Sequence, residues 1–68
     1  MSTDIKYPNV TVQLSGQDGN AFAIIGAISR ALRREVSVEA ASDFQKAATS
    51  CKSYDELLML ALNTVEVV

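Results

Sequence analysis

The feature that most constrains this chain is its lack of a cross-link. A 68-residue chain with one cysteine and no histidine cannot close an internal disulfide, and it has at most one soft ligand for a structural zinc ion. Domains this short bury only about 60% of the surface of the unfolded chain. We therefore expect a single domain without metal or cofactor, for which oligomerisation is the remaining source of added stability.

Composition narrows the class of protein further. Hydrophobic residues make up 49% of the chain and only four residues are Gly or Pro, which excludes an intrinsically disordered chain. The longest apolar run, Leu57 to Leu62, is far shorter than the roughly 18 residues of a membrane span. The first residues lack the basic and apolar segments of a signal peptide. We expect a cytoplasmic protein in which Cys51 is reduced.

The spacing of apolar residues predicts a strand followed by three helices. Val10, Val12 and Leu14 alternate with polar residues from position 10, as in a half-buried strand. Gly16 to Asn20 form a turn, and Asn20 is a suitable N-cap for a helix over residues 21–34. A second helix is predicted over about 38–50 after Ser37. The third begins at a capping box, in which Ser53 and Glu56 satisfy each other's backbone donors.

Each predicted helix has an apolar face that we expect in the core. Gly26 lies inside the first helix, where a close crossing by another element is the usual reason for a glycine. In the third helix, Met59 and Leu60 are left outside the predicted core face and are expected at the surface. The predicted core faces consist of Phe22, Ile25, Ile28 and Leu32; of Ala41, Phe44 and Ala48; and of Leu57, Leu58, Ala61 and Leu62.

The C-terminal residues 65–68 are compatible with two structures. They are β-branched apart from Glu66, so they form either a second strand beside the first or the frayed last turn of the third helix. We favour the strand. The predicted fold is then a small α+β domain of order β-α-α-α-β, with a flexible segment over residues 1–8 and one compact domain over residues 9–68.

The sequence offers little support for catalysis or for a phosphate site. Gly16 to Asn20 lie between a strand and a helix, but the lysine of a P-loop is absent and Asp18 would repel an anion. General acid–base catalysis most often uses histidine, which this chain lacks. Cys51 has Lys52 beside it but no evident base, so a buried, inert cysteine is the favoured interpretation. We expect no enzyme.

Charge is distributed unevenly between the two halves of the chain. Residues 1–34 contain four cations and two acids, whereas residues 35–68 contain two cations and six acids. Opposite halves suit pairing within the chain or a partner that contacts one face. Arg30, Arg33 and Arg34 form a small basic patch that could neutralise phosphates. The overall pI of about 4.8 is low for a nucleic-acid-binding protein, so nucleic acid is the alternative partner rather than the leading one.

Four segments of the chain resemble a known group of proteins. The segment from Val12 through Asp-Gly-Asn-Ala-Phe at 18–22, and the Ala-Leu-Arg-Arg at 31–34, are similar to a family of short uncharacterised bacterial and bacteriophage proteins. Ala48 to Ser50 and the Tyr54 to Leu58 helix start fit the same pattern. Relatives have a tryptophan where this chain has Thr64. The resemblance covers about residues 9–68 and implies a bacteriophage setting, but no activity.

These observations favour a non-enzymatic interaction protein. We expect a homodimer or small oligomer that also binds a protein partner, since exposed apolar groups usually mark an interface. The alternative is a nucleic-acid-associated accessory protein. The candidate interaction residues are Arg30, Arg33, Arg34, Met59 and Leu60.

Overall fold

A computed structural model describes residues 5–14 and 19–68, and its architecture is the predicted β-α-α-α-β order of a small α+β domain. Of the predicted turn from Gly16 to Asn20, residues 16–18 lie outside the described residues. The elements are β1 (Tyr7–Val12), α1 (Ala21–Glu35), α2 (Val38–Thr49), α3 (Tyr54–Thr64) and β2 (Val65–Val67).

The two strands form a parallel sheet, which confirms the strand prediction for the C-terminus. Parallel strands need a long crossover, and the three helices provide it. The register shifts between Tyr7 and Thr11, a stretch that contains Pro8, which cannot donate a ladder hydrogen bond. β1 begins at Tyr7, within the segment predicted to be flexible. Tyr7 pairs with Val65, and the N–H of the preceding Lys6 donates to the Asn63 carbonyl at 2.9 Å.

All three predicted helix starts are confirmed by their caps. Asn20 Oδ1 accepts from Phe22 N–H at 2.8 Å, and Ser37 Oγ accepts from Ala40 N–H at 3.0 Å. Ser53 Oγ accepts from Glu56 N–H at 3.1 Å. The return bond of the capping box differs from the prediction, since Glu56 Oε1 accepts from the N–H of Lys52 at 2.9 Å, one residue before the cap.

The core lies between the sheet and the three helices. Alternation in β1 is as predicted, with Val10 and Val12 buried and Thr11 exposed. Ile28, Leu32 and Val65 are fully buried at its centre. The other buried apolar residues are Ile24, Ala31, Ala40, Ala41, Phe44, Ala48, Leu57 and Ala61.

The explanation predicted for Gly26 is wrong. Among the described residues, a Cβ at this position would have only the Arg30 Nη2 atom within 4 Å, at 3.9 Å, so no described element crosses α1 closely there. Glycine inside a helix costs about 1 kcal/mol relative to alanine. The structure gives no packing reason for this glycine.

Candidate interaction surfaces

An open groove lies where the start of α1 meets the junction between α2 and α3. Its volume is about 420 Å³. Its floor is apolar, and Lys52 is its one charged lining residue in the described part of the chain. We call it the Phe22 groove, and its lining consists of Ala21, Phe22, Ile25, Ala48, Thr49, Cys51, Lys52, Ser53, Tyr54 and Leu57.

Phe22 is on the rim of this groove, and its predicted place in the core is wrong. Its side chain is 81% exposed. At about 100° per residue, Phe22 lies about 120° around the helix from the fully buried Ile28, at the margin of the buried face. Ser29 lies at a similar angle two turns later and is buried. Cover by neighbouring elements, and not angle alone, therefore decides which of these side chains is exposed.

The polar groups of the Phe22 groove are mostly used by the fold. Ser53 Oγ caps α3, and Thr49 Oγ1 donates to the Lys46 carbonyl. Cys51 is half-buried, and its Sγ donates a weak bond to the Ala47 carbonyl at 3.5 Å. Tyr54 is 44% exposed at the rim. The groove can hold an apolar side chain, and its described residues bring no acid–base pair together.

A second apolar area lies between α3 and the outer edge of β2. Met59 is 58% exposed and Leu62 is 47% exposed. They border a depression of about 310 Å³. We call this area the α3–β2 surface, and its lining consists of Ile5, Met59, Leu62, Asn63, Val65, Glu66 and Val67.

The predicted surface position of Met59 is found, but the pairing with Leu60 is wrong. Leu60 is half-buried against the core, and Leu62, predicted to be buried, accompanies Met59 instead. The buried face of α3 is centred between Leu57 and Ala61 and extends to Thr64, so Leu62 is turned about 120° from its centre. Thr64 can be buried because its hydroxyl donates to the Leu60 carbonyl at 2.6 Å. Thr64 therefore belongs to the buried face of α3, which the spacing of apolar residues alone did not indicate.

The three arginines do not converge on one site. Arg30 and Arg34 line a depression of about 270 Å³ against Thr11 of β1 and Gln13, which follows β1. Arg33 is exposed, about 100° around α1 from Arg34 and about 60° from Arg30, and it is not part of that lining. Arg34 Nε donates to Glu35 Oε2 at 3.0 Å in an exposed ion pair, which contributes little stability.

Residues 5–14 and 19–68 contain neither a metal-binding cluster nor a membrane-spanning helix. No group of three or more histidine, cysteine, aspartate or glutamate side chains could hold a metal ion. None of the helices in this part of the chain combines the length and apolar content of a membrane span. Comparison of the chain with protein-family models, curated protein sequences and solved structures gives no match.

Proposed function

We propose that this is a non-enzymatic interaction protein of the cytoplasm, which self-associates and binds a protein partner. The observation that carries the proposal is that Phe22 is 81% exposed at the side of an apolar groove that its own ring does not fill. Large exposed apolar groups next to an apolar concavity are typical of interfaces. The resemblance of residues 18–22 and 31–34 to short bacteriophage proteins favours a phage or mobile-element setting.

Self-association through the Phe22 groove would both fill the groove and remove the exposed Phe22 ring from water. In a two-fold dimer, Phe22 of each copy would fill the groove of the other, so that both rings leave water together. An aromatic ring of this kind buries about 150–250 Å² and is a common interface anchor. The groove has Lys52 as its one described charge, so two copies would bring few like charges together.

Replacing the exposed ring tests this proposal. We expect Phe22→Ser to raise the dissociation constant for self-association at least tenfold, because the buried anchor is lost. Sedimentation velocity across a range of micromolar concentrations measures this. The matched control is Val38→Ser, which removes an apolar side chain that is 67% exposed on α2, outside the groove. A wild-type protein that stays monomeric throughout, or a Phe22→Ser protein that associates like wild type, would contradict self-association through this groove.

The second candidate function is association with nucleic acid. One observation favours it, namely that Arg30 and Arg34 line a single depression beside β1 and could both contact one phosphate backbone. If so, double substitution of Arg30 and Arg34 by Gln should abolish a gel shift that wild type shows at low salt. An absence of any shift with single- or double-stranded DNA at low salt would exclude this candidate.

A further inference from the structure

The outer edge of β2 is open to another strand. In the described part of the chain the sheet contains only β1 and β2, so nothing pairs with β2 on its far side. Val68 N–H donates to the Val12 carbonyl and the Val68 carbonyl accepts from Leu14 N–H, both at 3.0 Å. Because strand groups alternate in direction, the N–H and C=O of Val67 are directed away from β1. An incoming strand would find these groups at the edge.

The apolar floor for such a strand is the α3–β2 surface. Met59 and Leu62 are about half exposed, and Ile5 and Val67 line the same depression of about 310 Å³. An added strand points alternate side chains to opposite sides. Side chains of one parity would lie on this floor, and those of the other parity would lie beside Glu66. Backbone bonds then provide affinity and the floor selects alternate apolar residues.

The one charged residue that lines this surface in the described part of the chain is an acid, Glu66. The other charged side chains from Ser53 to Val68 are also acids, Asp55 and Glu56, which lie in the first turn of α3. Glu66 is exposed at the centre of β2 and lines the depression. The nearest cation in sequence to Ile5 is Lys6, whose ammonium lies over the Tyr7 ring, 5.7 Å from its centroid. The surface is therefore complementary to a basic partner.

A second copy of this chain fits the same edge poorly. Antiparallel self-pairing of Val65–Val67 about a two-fold axis would place Glu66 opposite Glu66 of the other copy. Like charges directly opposite each other destabilise a strand pair.

We propose that the outer edge of β2 binds an extended segment of another protein in which basic and apolar residues alternate. This inference rests on the proposed function of an interaction protein, and it names the chemistry of the partner. The segment adds as a third strand beside β2, with apolar side chains on Met59 and Leu62 and a lysine or arginine beside Glu66.

The test uses two labelled synthetic peptides, Lys-Val-Lys-Val-Lys-Val and its counterpart with glutamate for lysine, with fluorescence anisotropy at low salt. We expect the basic peptide to bind wild type at least tenfold more tightly than the acidic one. Glu66→Lys should weaken binding of the basic peptide at least tenfold and strengthen binding of the acidic peptide. The matched control Glu39→Lys makes the same charge change on α2 and should alter the affinity less than threefold.

A second measurement locates the peptide and separates this inference from the proposed function. In two-dimensional NMR spectra, the backbone amides of Val67 and Leu62 should shift with the basic peptide, in wild type and in Phe22→Ser alike. Equal binding of both peptides, or equal losses in Glu66→Lys and Glu39→Lys, would overturn the inference. So would a change in self-association caused by Glu66→Lys, since a second copy would then occupy the edge. In each of these cases, a Phe22→Ser protein that self-associates more weakly than wild type in sedimentation would still support the proposed function.

Discussion

Phe44→Ala is expected to leave little or no stable folded protein, whereas Phe22→Ala should leave the free energy of unfolding almost unchanged. Phe44 is 4% exposed in the core and Phe22 is 81% exposed. Truncating a buried phenylalanine costs about 3–5 kcal/mol, and a single core in a domain of this length rarely supplies more than about 3–5 kcal/mol. Surface substitutions usually change stability by less than about 0.5 kcal/mol.

Circular dichroism during urea unfolding measures both variants. The comparison should be made at protein concentrations well below the onset of self-association, because a dimer interface stabilises the folded state by mass action. Similar losses for the two variants would show that Phe22 is packed within a single chain, which contradicts the exposed position. A small loss for Phe44→Ala would place the core elsewhere than between the sheet and the helices.

The elements could be predicted from the sequence because local chemistry determines them. Asn20, Ser37 and Ser53 cap three helices with bonds to backbone N–H groups two or three residues later, and such bonds depend only on the adjacent chain. The alternation of Val10 and Val12 depends on the strand period alone. The C-terminal strand was the harder case, since Val65–Val67 forms it only by pairing with a strand more than 50 residues away in sequence.

The interaction surfaces could not be predicted in the same way, because they depend on which parts of each helix its neighbours cover. Phe22 belongs to an apolar stripe but lies on the exposed side of the first turn of α1, whereas Ile24 in the same turn is buried. Leu62 is exposed, whereas Leu60 is half-buried and Thr64 is buried. The rotation of α3 about its axis therefore differs from the one that apolar spacing alone predicted. Gly26 suggested a close crossing that none of the described elements makes.

Pairing within the chain accounts for little of the charge asymmetry. The described residues contain one ion pair, between Arg34 of the first half and its neighbour Glu35 of the second, and the other acids of the second half form no ion pair with the arginines of the first. Asp55, Glu56 and Glu66 remain on α3 and β2. Glu66, which lines the β2 edge, therefore remains available to pair with a basic side chain of a partner.

The alanines Ala40, Ala41 and Ala48 of α2 are buried. α1 and α2 form the most extensive contact between elements. Ala41→Leu is therefore expected to destabilise the protein by about 1–3 kcal/mol, because added methylene groups in a packed core force side chains and backbone to shift. In a domain with about 3–5 kcal/mol in total, this would lower the melting temperature substantially.

Ala47→Leu provides the matched control on the same helix. Ala47 is exposed, so the same added volume meets solvent and should change stability by less than about 0.5 kcal/mol. Thermal unfolding of the two variants at equal concentration gives the difference. If Ala41→Leu melted at the wild-type temperature, the core around Ala41 would have room for the added methylene groups, which contradicts close packing there. If Ala47→Leu were the more damaging change, the rotation of α2 about its axis would have to differ from the one described.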